Sequence, residues 1–166
     1  ALGPGKAIDT DKFFVICANV IGGCMGSYGP STIDKNTNAQ ISTNFPVITI
    51  NDMVNAQFNL LEHFKIEKLF AVIGGSMGGM QVLQFVSNFP DKAQIAVPIA
   101  CTSSHSAQNI AFNELGRQAI MADANWKAGK YNEDKTNPDK GLSVARMAAH
   151  ITLSLIHISE PTRQVL

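Results

Sequence analysis

Charge is scarce in this sequence. Asp, Glu, Lys and Arg make up 16% of its 166 residues, and 13 basic side chains balance 13 acidic ones. Without a basic excess there is no electrostatic footprint for nucleic acid or for an anionic membrane surface. Long apolar runs are missing too, since none approaches the roughly 20 residues that cross a bilayer. The opening Ala1-Leu2-Gly3-Pro4-Gly5-Lys6 has no charged head leading into an apolar stretch. No secretory leader is therefore expected, and the cytoplasm is the expected compartment. Cysteine is sparse and odd in number. Cys17, Cys24 and Cys101 fit no zinc spacing, and two of them lie in apolar runs. Reduced, buried thiols and no metal site are expected, with Cys24 among glycines where it could line a site. What is plentiful is apolar side chain, 45% of the chain. That is a core-forming composition, and the length suits about one domain.

The informative stretch begins at Leu69. Leu69-Phe70-Ala71-Val72-Ile73 is short and apolar and ends in a knot of glycines, Gly74-Gly75-Ser76-Met77-Gly78-Gly79. Gln81 to Val86 follows with helical apolar spacing, so the expected order is strand, tight turn, helix, with Ser76 at the apex. Gly74 and Gly78 complete the pattern Gly-x-Ser-x-Gly, a nucleophile elbow. A serine on so sharp a turn sits in strained backbone. The residues two before and two after it approach each other, so side chains at Gly74 and Gly78 are expected to collide. The turn exposes the hydroxyl and aims the first free amides of the helix, Met77 N–H foremost, at the place where a negative oxygen would form. Two rival glycine motifs fail on spacing. A dinucleotide fingerprint needs glycine where Ser76 stands, and a P-loop needs lysine where Met80 stands. A glycine-rich turn without chemistry stays open as the plain alternative.

Residues 13–18 (Phe-Phe-Val-Ile-Cys-Ala) read as a buried strand, and 19–30 as a long glycine-rich loop. Ser31 to Asn44 is polar, like a surface excursion. Thr49-Ile50-Asn51-Asp52 offers capping side chains, and Met53, Val54, Phe58, Leu61 and Phe64 recur at helical spacing. His63 falls near the end of that helix, on its solvated face. The helix after the elbow is expected to stop at Phe89-Pro90. Residues 93–101 read as the next strand, with Pro98 marking its end or an irregular rung. Strand and helix thus alternate across 13–101, the order of a parallel sheet covered by helices. Beyond Thr102 come a mixed helix over 104–122, a polar stretch over 123–140 and a small-residue helix over 141–152, together resembling a lid.

Longer motifs flank the elbow. Gly3-Pro4-Gly5-Lys6-Ala7-Ile8-Asp9-Thr10-Asp11, Gly22-Gly23-Cys24, Phe45-Pro46-Val47, Gly74 to Gln81, His105-Ser106-Ala107-Gln108 and Phe112 to Ile120 closely resemble the homoserine O-acetyltransferase family. The resemblance runs from about residue 2 to Thr152. It implies an α/β fold of the α/β-hydrolase type, here partial: central parallel strands and the start of a helical lid, with the first and last strands missing. Residues 1–102 would be the partial core, 103–153 the lid segment and 154–166 an atypical tail. The implied reaction is a ping-pong acetyl transfer in L-methionine biosynthesis. Ser76 attacks acetyl-CoA, and the homoserine hydroxyl then takes the acetyl group from the acyl-serine. The Met77 amide would be one oxyanion donor, and Arg146 would grip the substrate carboxylate. Arg146 suits that task, being the one charge in a run of small apolar residues and carrying a fork that matches a carboxylate. Its plain alternative is an ordinary surface arginine. The resemblance implies no permanently bound cofactor and no metal, acetyl-CoA as donor, and small molecules as partners. A homodimer of the full-length protein is left open.

Departures from the family pattern shape the remaining expectations. The family has a tyrosine where Leu153 stands, and 154–166 follows nothing in it. The family's catalytic aspartate and histidine lie beyond the matched part, and its other oxyanion donor lies before Ala1. His63, His105, His150 and His157 read as structural or surface residues, and none is assigned as the base. Serine without a general base is a poor nucleophile, so this chain alone is expected to be nearly inactive. An esterase or thioesterase, a succinyl or serine transferase, and a domain that only binds a ligand or partner are the competing readings.

Overall fold

A computed structural model describes residues 1–131 and 136–152. The expected tail over 154–166, Leu153 and His157 lie outside the described residues.

Helix α1 (Ile50–His63) begins where its capping chemistry dictates. Thr49 Oγ1 accepts the Asp52 N–H at 3.2 Å, and the Asp52 carboxylate accepts the Thr49 N–H at 2.8 Å, a complete capping box. It ends in a Schellman motif. The Lys65 N–H donates to the Glu62 carbonyl and the Ile66 N–H to the Leu61 carbonyl, while Lys65 takes a left-handed φ of 57° where glycine is usual. The chain then enters β1 (Leu69–Gly75), turns through Ser76 into α2 (Met77–Asn88) and returns in β2 (Ala93–Ile99). β1 and β2 are parallel, with Leu69 opposite Ala93 and Gly75 opposite Ile99. A helix joining two adjacent parallel strands is a βαβ unit.

The apolar stripe of α1 closes on α2 and the strands. Val54, Leu61 and Phe85 form the buried cluster, with Ile50, Val72, Val86 and Phe89 packed around it. Phe58 stacks on Phe89 at 4.0 Å between centroids, and Asn88 donates to Asn51 at 2.8 Å across the same helix pair. Helices α3 (Ala107–Met121) and α4 (Asp139–Thr152) pack chiefly on each other. Small residues permit this. A Cβ on Gly141 would overlap the backbone of Ala119 and Ile120, and Gly116 lies 3.6 Å from the Ala145 Cβ on the same measure. Asp123 ties the pair together by accepting the Gly141 N–H at 2.9 Å, in the first turn of α4.

Two expectations are corrected. Residues 13–18 are not a buried strand: they carry no ladder, and Phe14 is 80% exposed. Side-chain contacts hold the segment instead. Phe13 stacks on Phe70 at 4.9 Å, and Phe14 meets Phe64 edge-on at 6.5 Å. A strand exists only through its hydrogen-bonded neighbour, and among the described residues the sheet has two strands, β1 and β2. For the same reason Cys17 is exposed rather than buried, and so is Cys24 in its glycine-rich loop, while Cys101 is half-buried. Pro98 sits in β2 opposite Gly74, one residue before the strand ends.

Candidate active site

The site is built on the turn between β1 and α2. Ser76 has φ 54° and ψ −120°, a conformation that L-residues rarely adopt and that costs of order 1–3 kcal/mol. Two backbone bonds fix it: the Ser76 N–H donates to the Ile99 carbonyl at 2.9 Å, and the Ser76 carbonyl accepts the Met80 N–H at 3.1 Å. Its side chain is exposed and makes no capping bond to the helix it precedes. The hydroxyl is thus left available at the mouth of the turn.

The glycines around it do different jobs. A Cβ on Gly74 would overlap the Gly78 carbonyl, so the approach of these two residues is real. A Cβ on Gly78, however, would meet nothing within 4 Å, which corrects the expectation of collision at both positions. The second crowded glycine is Gly79, whose Cβ would lie 2.7 Å from both Cβ and Sγ of Cys101. Sequence reasoning missed this pair. The only available signal was Gly79 itself, the fourth glycine of a knot in which the five-residue pattern needs two.

Met77 opens α2, so its N–H belongs to the first turn, where amides have no partner four residues back. The aligned peptide dipoles make this end of the helix favourable to negative charge. The Met77 side chain is 41% exposed and lines an open apolar cleft of about 340 Å³. Val20, Ile21, Gly22, Phe45 and Met53 are among the other walls. The glycine-rich loop and the Phe45-Pro46 segment are thereby brought to the elbow, although they are distant in sequence.

Arg146 is exposed on α4. Because α4 packs chiefly on α3, the elements that carry Ser76 do not themselves hold Arg146. His63 is exposed at the end of α1, edge-on to Phe64 at 5.5 Å. His105 is exposed ahead of α3, and His150 is exposed in the last turn of α4. No helix among the described residues is long and apolar enough to cross a membrane.

An exposed serine in strained backbone between a parallel strand and a helix is the defining feature of one large class of enzymes. The sequence pattern of the alpha/beta hydrolase fold family matches residues 5–158, and the chain belongs to that family. The homoserine O-acetyltransferase of Pelagibacter ubique is 79% identical over 152 residues, covering 92% of this chain and 41% of that protein. The crystal structure of homoserine O-acetyltransferase from Bacillus anthracis superposes with a TM-score of 0.79 at 31% identity, over 90% of this chain and 42% of the other. An acetylester hydrolase from Corynebacterium glutamicum superposes with a TM-score of 0.78 at 33% identity, over 92% and 42%. The resemblance read from the motifs is thus carried by close relatives. The chain spans about two fifths of the length of the curated relatives it matches.

Proposed function

We propose that this chain carries the nucleophile half of a homoserine O-acetyltransferase acting in methionine biosynthesis. The observation that carries the reading is Ser76, exposed and strained, directly before the first-turn amides of α2. The 79% identity to a homoserine O-acetyltransferase supports the choice of reaction. Ser76 Oγ attacks the acetyl carbonyl of acetyl-CoA as its proton passes to a base. The Met77 N–H stabilises the oxyanion, the C–S bond breaks, and CoA leaves as the thiol once protonated. The homoserine hydroxyl then attacks the acetyl-serine, the new ester forms, and Ser76 recovers its proton. Arg146 would hold the homoserine carboxylate by its fork. Acetyl-CoA is a substrate here, not a resident cofactor, and the cytoplasm is the compartment where it and homoserine would be met. Residues 1–102 serve as the partial core and 103–153 as the lid segment. The base that takes the Ser76 proton is not assigned to any residue of this chain.

The test uses the full-length enzyme with acetyl-CoA. Release of CoA that rises in proportion to added homoserine supports the transferase. Release that proceeds at the same rate without homoserine would sink it in favour of an esterase. That second reading is kept because the acetylester hydrolase superposes almost as well as the transferase.

A further inference from the structure

The end of β2 carries a second strained residue beside the first. Ala100 has φ 48°, a left-handed backbone that favours glycine, yet it bears a side chain. It separates two contacts on the elbow. Just before it, the Ile99 carbonyl accepts the Ser76 N–H at 2.9 Å. Just after it, the Cys101 side chain lies so close to Gly79 that a Cβ there would be 2.7 Å from both Cβ and Sγ. Gly79 is in the first turn of α2, and its Cβ position is also 3.2 Å from the Gly74 carbonyl. One tripeptide therefore holds the nucleophile by its backbone and the helix start by its flank. The positive φ of Ala100 falls between these two contacts.

We propose that Ile99-Ala100-Cys101 is a positioning brace that sets the distance between Ser76 Oγ and the amides at the start of α2. The inference rests on reading Ser76 as the nucleophile. The brace acts through Ser76 and Gly79. Small displacements at a reacting centre cost large factors in rate, up to about 100-fold for 1 Å, so loosening the brace slows acylation before it unfolds the protein.

The experiment uses the full-length enzyme and measures the second-order rate of Ser76 labelling by a fluorophosphonate, located by mass spectrometry, together with the thermal midpoint. Cys101→Gly is expected to slow labelling about 10-fold at a temperature where the protein is fully folded. Adding Gly79→Ala to that variant returns a methyl group to the vacated space and recovers much of the rate. Ala100→Gly accepts the left-handed backbone without strain, so it folds readily. Glycine also frees the backbone between the two contacts to take many other conformations, so the brace slackens. Labelling is expected to be slower at an equal or higher thermal midpoint, whereas a merely structural role would move rate and midpoint together. A parent that labels at Ser76, with Cys101→Gly or Ala100→Gly labelling just as fast, overturns the brace alone. So does a double variant that recovers nothing. A parent that fails to label at Ser76 overturns the nucleophile reading and the brace with it.

Discussion

Gly74 and Gly78 stand on either side of Ser76, and a side chain on the first would overlap the carbonyl of the second, while a side chain on the second would touch nothing. The two glycines of the pattern are therefore unequal. Gly74→Ala is expected to destabilise the protein by about 1–3 kcal/mol, the usual cost of forcing atoms into a packed site. Gly78→Ala is expected to be neutral or stabilising by up to about 1 kcal/mol, because alanine favours a helix over glycine. Urea denaturation of the two variants, compared at equal slope, checks the asymmetry. Equal losses would mean that the close approach at Gly74 does not govern the turn.

Strain at Ser76 gives a second prediction. Ser76→Ala keeps a Cβ in the positive-φ conformation, whereas Ser76→Gly removes it. The glycine variant is expected to be the more stable of the two by about 1 kcal/mol, and both lose all fluorophosphonate labelling at this position. Differential scanning calorimetry on the two proteins provides the comparison. An alanine variant as stable as the glycine variant would contradict a strained elbow.

Two carboxylates at helix starts contribute to the acid limb of stability. Hydrogen bonding from the Thr49 side chain, and then from its backbone N–H, holds the Asp52 carboxyl below the ordinary range. The Asn125 and then the Gly141 backbone N–H groups do the same for Asp123. Each folded pKa lies below its unfolded value, so the unfolded chain binds protons first. The contribution is complete above about pH 4 and disappears as pH falls through the folded values. Thr49→Ala is expected to cost about 1 kcal/mol at neutral pH and to shrink the acid-dependent loss. Circular dichroism from pH 6 to pH 2 reads both effects, and an unchanged acid limb in the variant would remove the capping box from the account.

The legible parts of this molecule were those decided by local chemistry. The α1 cap at Thr49, the stop of α2 ahead of Pro90 and the turn at Ser76 each follow from residues within a few positions of one another. Residues 13–18 misled because a run of bulky side chains specifies a strand only if another strand accepts its ladder, and that depends on neighbours elsewhere in the chain. The same dependence left Cys17 exposed when its surroundings suggested burial. At the site, Ser76 was readable from its glycines. The contact between Gly79 and Cys101 was not, since it joins residues 22 positions apart through a backbone reversal at an alanine, where no sequence signal marks a positive φ.

Arg146 provides the last prediction. Gly141 and Ala145, four residues apart on α4, lie against Ala119 and Gly116 of α3, so one edge of α4 is spent on helix packing. Arg146 is the next residue after Ala145 and is turned about 100° away from that edge, which leaves its guanidinium exposed. A fork in that position can engage a carboxylate through two parallel bonds, whereas an ammonium offers a single point of charge. In the full-length enzyme, Arg146→Lys is therefore expected to raise KM for homoserine about 10-fold, as the loss of one charged hydrogen bond would. The thermal midpoint should stay within a degree or two of the parent, because the helix-packing edge is untouched. Steady-state kinetics with homoserine varied at saturating acetyl-CoA decide the matter. An unchanged KM would return Arg146 to the ordinary charged surface of α4.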